Sequence, residues 1–114
     1  MKTKLFTSII TLFLISALAF AGKQTEASFK ASGNCSMCQK RIEKSLTIKE
    51  VSSASWNKKT KLLTVKYDAS AITLDSLQQR IAAVGHDTEK FKTADEVYED
   101  LPGCCLYRED GHGH

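Results

Sequence analysis

The chain lacks the charge excess and the residue clusters that mark several functional classes. The chain has 16 Lys and Arg residues against 13 Asp and Glu. Without the two lysines of an apolar N-terminal segment, 14 basic residues remain against 13 acidic ones, so the charge is nearly balanced. No run of Lys or Arg alternates with aromatic residues, so nucleic-acid binding is not indicated. There is also no internal repeat. The remaining chain of about ninety residues is expected to form one small domain with a modest core.

Proline and cysteine are both scarce. The only proline is Pro102, and the four cysteines form two close pairs, Cys35 with Cys38 and Cys104 with Cys105. Small secreted domains that are held together by disulfides usually have dispersed cysteines, so this pairing disfavours a disulfide-stapled scaffold. Two close pairs instead indicate soft-metal binding or thiol–disulfide chemistry.

The N-terminal segment, residues 1–21, is typical of a secretory signal peptide. A short basic start precedes a mostly apolar stretch over residues 5–20, and Ala19-Phe20-Ala21 places small residues at the positions that signal peptidase reads. The stretch is short for a membrane span and contains Thr and Ser residues, so an uncleaved anchor is the less favoured alternative. We expect an exported, periplasmic or extracytoplasmic protein that starts near Gly22 and has no stable membrane insertion after cleavage.

Hydrophobic periodicity predicts a β-α-β-β-α-β order over residues 27–91, after a linker at 22–26. The predicted elements are a strand at 27–31, a helix from Cys38 to about Leu46 or Ile48, strands at 51–56 and 61–67, a helix capped by Thr73 and ended by Gly85, and a strand at 87–91. This order is that of an α+β, split βαβ sandwich, in which two helices cover one face of an antiparallel sheet.

Residues 92–114 form a predicted C-terminal extension. Thr93-Ala94-Asp95-Glu96 has the pattern of a capping box and predicts a short helix that stops at Pro102-Gly103. Cys104-Cys105 follows the helix. The final Gly111-His112-Gly113-His114 tail is too small and polar to pack against a core.

The Cys35-x-x-Cys38 pair lies where a loop is expected to meet the first helix. Two thiols at this spacing can hold one soft metal ion or form a disulfide. The free N–H groups and the positive dipole end of a helix start stabilise thiolate, which favours either chemistry. Cys35 and Cys38 are therefore candidate metal ligands. Met37, between them, is expected to be an exposed spacer rather than a thioether ligand.

The residues from Gly33 to Val84 resemble the heavy-metal-associated (HMA) domain, the ferredoxin-like module of copper chaperones, metal-pumping ATPase tails and periplasmic mercury-binding proteins. The matching residues are Cys35, Cys38, Arg41-Ile42-Glu43, Leu46, Val51, Val65-Lys66-Tyr67-Asp68, Leu77, Ile81 and Gly85. The usual Met and Thr before the first cysteine are missing. The resemblance implies a ferredoxin-like fold and a metal-binding protein that is not an enzyme.

Thiolates favour soft ions, so the expected ion is Cu(I), with Hg(II) and Zn(II) as alternatives. Copper is preferred to mercury because the Gly-Met-Thr-Cys-Ala-Ala-Cys loop of mercury proteins is absent. Structural zinc needs four closed ligands, which Cys35 and Cys38 alone do not supply. The resemblance thus implies a protein that binds and relays or sequesters Cu(I), with a metal-transporting or metal-accepting protein as its partner.

His86 is a candidate additional ligand. It follows Gly85 at the position where bacterial HMA domains often carry Tyr, in a loop that faces the metal site in that family. A neutral imidazole there could be a third ligand or could tune access to the ion. The alternative is a solvent-exposed loop histidine.

Cys104 and Cys105 are also candidate ligands, and three roles stay open for them. They could add thiolates to the Cys35/Cys38 site if the extension folds back, form a second metal site with the histidine tail, or act as a redox pair. Adjacent cysteines do not easily hold one ion between them, and a disulfide between neighbours is strained.

A thiol–disulfide oxidoreductase is the alternative from a different class, because exported Cys-x-x-Cys proteins are often redox enzymes. Thioredoxin-like enzymes, however, have a longer chain and a cis-proline that faces the cysteine pair, whereas Pro102 lies beside Cys104. A third hypothesis is a passive interaction domain whose cysteines only form a disulfide. Export also makes oxidation of Cys35 and Cys38 a competitor of metal binding.

Overall fold

An antiparallel sheet of three strands forms the scaffold of the computed structural model, which describes residues 24–109. The strands are β1 (Gln24–Lys30), β2 (Val51–Trp56) and β3 (Leu62–Asp68), in the spatial order β1-β3-β2. Alternate residues of β3 are buried, as the period of two along a strand requires. Phe29 of β1 and Trp56 of β2 both pair with Leu63, so the central strand carries large apolar neighbours on each side.

Two helices bury their apolar residues in the same core as the inward residues of the sheet. They are α1 (Ser36–Ser45) and α2 (Leu74–Ala83). The shared core contains Ile42 and Leu46 from the first helical segment and Leu77 and Ile81 from the second. The predicted cap of α2 is confirmed, because the Thr73 hydroxyl accepts a hydrogen bond from the Ser76 N–H at 3.1 Å.

The turn between β2 and β3 lies over residues 57–60. The Asn57 side-chain oxygen accepts hydrogen bonds from the backbone N–H groups of Lys59, at 2.8 Å, and Thr60, at 3.0 Å. Lys61 then has a left-handed backbone with φ of 64°. An Asn side chain that bonds the following N–H groups stabilises such a turn, which fixes the register of the two strands.

The predicted final strand at 87–91 is reduced to one bridge, between Ala31 and Thr88. The chain turns back on itself here, because the Thr88 N–H donates to the Phe91 carbonyl at 2.8 Å and the Phe91 N–H donates to the Thr88 hydroxyl at 3.2 Å. The residues that would extend a fourth strand are used in this turn. The neighbouring strand, β1, begins at Gln24, inside the segment predicted as a linker.

The C-terminal extension packs into the core. It contains α3 (Asp95–Glu99) and a single 3₁₀ turn (Gly103–Cys105). The predicted capping box is wrong, since Ala94 is the N-cap and makes no side-chain hydrogen bond. The N–H of Thr93 instead donates to Asp87 at 2.9 Å, which holds this residue in the buried loop.

Polar contacts fix the extension against the loop that follows α2. The buried Tyr107 hydroxyl donates to the Gly85 carbonyl at 2.8 Å and accepts from the Asp87 N–H at 2.9 Å. Arg108 forms an ion pair with Asp87 at 2.8 Å and a second, with Asp95, at 3.3 Å. Burial raises the pKa of Tyr107, and the bond to Asp87 raises the pKa of Arg108. At neutral pH Tyr107 therefore stays protonated and Arg108 stays charged, so both keep the hydrogen bonds that hold the extension.

Between residues 24 and 109, no helix has the length and apolar character needed to cross a membrane. The predicted signal peptide at 1–21, and His112 and His114 of the tail, lie outside the described residues.

Candidate metal site

The Cys-x-x-Cys loop leads directly into α1, as the sequence predicted. Cys35 is the N-cap residue, with extended backbone angles, and its sulfur accepts a hydrogen bond from the Cys38 N–H at 3.4 Å. The Cys38 thiol donates to the Asn34 side-chain oxygen at 3.3 Å. A helix N-terminus presents unpaired N–H groups and a positive dipole end, and both stabilise negative charge on sulfur.

Gly33 lets the loop approach the core closely. A Cβ atom at this position would lie 3.0 Å from the Cβ of Cys38 and 3.0 Å from the ring of Trp56. The Trp56 indole N–H donates to the Ala31 carbonyl at 2.9 Å, which holds the ring beneath the loop. Tight packing under the loop limits the positions that the two thiols can take.

Three thiols meet at this loop. The Cys35 sulfur lies 3.0 Å from that of Cys38 and 3.3 Å from that of Cys105. All three sulfur atoms lie within 4.8 Å of one another. Cys38 and Cys105 are fully buried, and Cys35 is partly exposed. The C-terminal extension thus brings a third sulfur, that of Cys105, next to the predicted pair.

Arg41 brings a positive charge to the same cluster. Its guanidinium donates a hydrogen bond to the Cys105 sulfur at 3.3 Å. Three thiolates around one monovalent or divalent ion would carry excess negative charge, which a guanidinium in contact offsets. Sequence reasoning treated Arg41 only as part of the family pattern. Its position three residues after Cys38, on the same helix face, is the signal that could have identified it.

The thiols of the predicted pair differ in acidity. Burial raises the pKa of Cys35, but hydrogen bonds to its sulfur, first from the Cys38 thiol and then from the Cys38 N–H, outweigh burial and lower the pKa to about 7. Burial raises the pKa of Cys38 to about 12. Cys35 is therefore the nucleophilic, readily deprotonated member of the pair, whereas Cys38 keeps its proton until a metal or an oxidant displaces it.

Cys104 lies beside the three-thiol cluster but is not one of its members. It is exposed, and its sulfur lies 3.8 Å from that of Cys105 and 3.5 Å from the Met37 sulfur. Its hydrogen bond with Cys105 raises the pKa of the Cys104 thiol. Met37 is 48% exposed, as predicted. The two adjacent cysteines therefore have different environments.

His86 lies neither among the clustered thiols nor exposed in a loop, the two positions considered for it. It is fully buried rather than exposed in a loop, and it is outside the group of ligand atoms formed by the three cysteines. Its Nδ1 bonds the Ser32 carbonyl at 2.8 Å, and its ring stacks on Tyr107 with centroids 5.4 Å apart. Burial lowers the pKa of His86 to about 4, so the ring is neutral at physiological pH. These contacts hold the ring between Ser32 and Tyr107.

The heavy-metal-associated domain model matches residues 30–87, which is 58 of the 114 residues. The chain belongs to the heavy-metal-associated domain family. The family match contains Cys35, Cys38 and Arg41, and it ends before the extension that carries Cys105. No curated protein matches the chain.

Several solved structures resemble this HMA protein. A CopZ metallochaperone is 26% identical, with a TM-score of 0.54, and the match covers 56% of this chain and 98% of that one. The N-terminal domain of a potential copper-translocating P-type ATPase from Bacillus subtilis, in the Cu(I)-loaded state, is 26% identical with a TM-score of 0.55, covering 66% of this chain and 96% of that one. The N-terminal soluble domains of Bacillus subtilis CopA are 30% identical with a TM-score of 0.55, covering 60% and 48% of the two chains.

These likenesses confirm the predicted ferredoxin-like α+β fold for the HMA protein. A heavy-metal-associated domain with clustered thiols is a soft-metal site, because thiolate sulfur prefers soft ions.

Proposed function

We propose that this HMA protein binds one Cu(I) ion through Cys35, Cys38 and Cys105 and relays or sequesters it outside the cytoplasm. The observation that carries the proposal is the cluster of three sulfur atoms within 4.8 Å of one another. Two of these atoms belong to the family's metal-binding pair, and the third is supplied by the extension.

The number and type of ligands support Cu(I). Soft thiolates select Cu(I) and exclude Ca²⁺ and Mg²⁺, which take oxygen ligands. Structural zinc takes four closed ligands, and the described cluster offers three. Hg(II) suits the same thiols and is the alternative ion. The likeness to the N-terminal domain of a potential copper-translocating P-type ATPase in its Cu(I)-loaded state favours Cu(I).

The burial of the cluster bears on how the metal is held. Cys38 and Cys105 are closed to solvent, and the extension that carries Cys105 is tied down by Tyr107 and Arg108. Release of the ion to a partner therefore requires a partner thiol to replace these ligands one at a time. A copper-transporting or copper-accepting protein with exposed thiols is the proposed partner, and the role is that of a carrier rather than an enzyme.

A competition titration against a chromophoric Cu(I) chelator tests the site. The double variant Cys35→Ser/Cys38→Ser should lose high-affinity binding, and Cys105→Ser should weaken it by on the order of tenfold or more. Cys104→Ser is the matched control, because it removes the neighbouring, exposed thiol and should leave the affinity unchanged. If the double variant keeps the wild-type affinity, the proposed function is wrong.

The same assay separates the alternative ions. Hg(II) or Zn(II) is added at a concentration equal to that of Cu(I), under conditions in which the same number of protons is released. Stoichiometric displacement of the bound Cu(I) would overturn the choice of copper. Insulin reduction with turnover would overturn the carrier role.

Export is tested separately. The proposed location rests on the composition of residues 1–21, and it predicts a mature protein that begins near Gly22 in the extracytoplasmic fraction. A full-length protein that begins at Met1 and is recovered only from the cytoplasm would contradict this.

A further inference from the structure

Five sulfur atoms form a continuous series that leads from the exposed Met37 and Cys104 into the three-thiol cluster. The Met37 sulfur lies 3.5 Å from that of Cys104, which lies 3.8 Å from that of Cys105. Cys105 in turn lies 3.3 Å from Cys35, and Cys35 lies 3.0 Å from Cys38. Each step is short enough for one ion to contact both sulfurs as it moves between them.

The two ends of this series differ in exposure. Cys104 is exposed and Met37 is 48% exposed, whereas Cys105 and Cys38 have no solvent-accessible surface. Among the described residues, Met37 and Leu62 are the large apolar side chains left exposed. The thioether of Met37 therefore contributes nothing to the core, but it is placed against the one fully exposed thiol.

Two elements fix this outer pair. Met37 lies in the first turn of α1, and Cys104 lies in the 3₁₀ turn of the extension. These elements meet at the metal loop, where Arg41 also bonds Cys105. The pair is thus held beside the inner thiols by backbone structure rather than by the chance position of a mobile tail.

We propose that Met37 and Cys104 form an outer sulfur site at which Cu(I) enters and leaves the inner site, with Cys105 as the shared step between them. Thiol and thioether are the soft ligands that Cu(I) accepts. The inference rests on the proposed function, because it assumes Cu(I) at Cys35, Cys38 and Cys105.

The transfer is a ligand exchange in which copper stays Cu(I). A bond from Cu(I) to the Cys104 sulfur forms as a bond to the donor's thiolate breaks, and the Cys104 proton passes to that departing thiolate. A bond to the Cys105 sulfur then forms, the Cys105 proton returns to Cys104, and the bond to Cys104 breaks. No oxidant or reductant is needed.

A route of this kind changes rates without changing affinity. The outer sulfurs hold the ion only in passage, so their removal should slow loading and unloading by the same factor. If the pair instead held the ion at equilibrium, its loss would weaken binding. The ratio of the two rate constants therefore distinguishes a passage site from a binding site.

Stopped-flow transfer of Cu(I) from a Cu(I)–glutathione complex, and back to a chromophoric chelator, tests the inference. We expect Cys104→Ser/Met37→Leu to slow both directions by on the order of tenfold, which corresponds to about 1.4 kcal/mol in each barrier. Leu62→Ala is the control for loss of an exposed apolar side chain and should keep wild-type rates. Met37→Leu alone keeps the side-chain bulk and isolates the thioether.

Unchanged rates in the double variant would overturn the inference and would mean that copper enters directly at the partly exposed Cys35. A weaker equilibrium affinity in the double variant would overturn it as well, since the pair would then be binding ligands. Neither result decides the proposed function, which is tested separately by the Cu(I) affinity of Cys35→Ser/Cys38→Ser.

Discussion

The sulfur atom of Cys105 lies 3.3 Å from that of Cys35, although 70 residues separate them in the chain. This contact joins the C-terminal extension to the metal loop of the HMA domain. It also makes the site depend on contacts far from it, because the extension is held by Tyr107 and Arg108 rather than by the thiols alone.

Arg108→Ala should weaken Cu(I) binding, although the substitution removes none of the three thiols. The variant removes the ion pairs to Asp87 and Asp95 and leaves the buried Asp87 carboxylate without its guanidinium. We expect a loss of about 1–3 kcal/mol in the free energy of unfolding, together with a Cu(I) affinity close to that of Cys105→Ser. Urea unfolding and chelator competition measure the two effects. A variant that loses stability but keeps full affinity would show that the position of Cys105 does not depend on this anchor.

Gly85→Ala should destabilise the fold for two reasons, the backbone conformation of Gly85 and the lack of room for a Cβ atom. Gly85 has φ of +111°, and a Cβ atom there would lie 2.7 Å from the Leu101 side chain. We expect Gly85→Ala to lower the free energy of unfolding, measured by heat or by urea, by about 1–3 kcal/mol or more. Gly103→Ala is the matched control in the same extension, since a Cβ at Gly103 meets nothing within 4 Å. Equal stability of the two variants would contradict the described packing of Leu101.

His86 should make the protein less stable as the pH falls. Burial lowers the pKa of His86 to about 4, below its unfolded value of 6.5, so the unfolded chain binds a proton in this interval that the native state does not. The stabilising effect is complete above pH 6.5 and is lost as the pH falls toward 4, on the order of 3 kcal/mol in all. His86→Phe keeps a ring against Tyr107 and should have a flatter profile over this range. Identical slopes for the two proteins would contradict a buried neutral His86.

The thiols should react with alkylating agents in a fixed order. Hydrogen bonds from Cys38 lower the pKa of Cys35 to about 7 against the effect of burial, whereas burial raises the pKa of Cys38 to about 12. We expect iodoacetamide to modify Cys35 before Cys38, with a rate that rises through pH 7. Mass spectrometry of digested protein gives the order. Prior loading with Cu(I) should protect Cys35, and modification of Cys38 first would contradict the described environments.

The elements with regular periodicity could be predicted from the sequence. Alternation at Leu63, Val65 and Tyr67 identified β3, and the Thr73 cap identified the start of α2, because both signals come from neighbouring residues. The final strand could not be predicted in the same way. Its backbone closes into a turn through the Thr88 hydroxyl, and such a local side-chain bond competes with strand pairing.

The site was predicted only in part, for a related reason. Cys35 and Cys38 follow from a local motif, but the distinction between Cys105, which joins them, and Cys104, which does not, depends on how the extension folds back. The apparent capping box at Thr93 also failed because of a residue outside the motif, since Asp87 takes the Thr93 N–H. Contacts across many residues decide these positions, and a single sequence does not contain them.

X-ray absorption at the copper edge of the Cu(I)-loaded protein tests the central claim most directly, because it counts the sulfur atoms bound to the ion. We expect three sulfur neighbours in the wild-type protein and in Cys104→Ser, and two in Cys105→Ser, in keeping with the cluster of Cys35, Cys38 and Cys105. Two sulfur neighbours in the wild-type protein, unchanged by Cys105→Ser, would contradict the three-thiolate site.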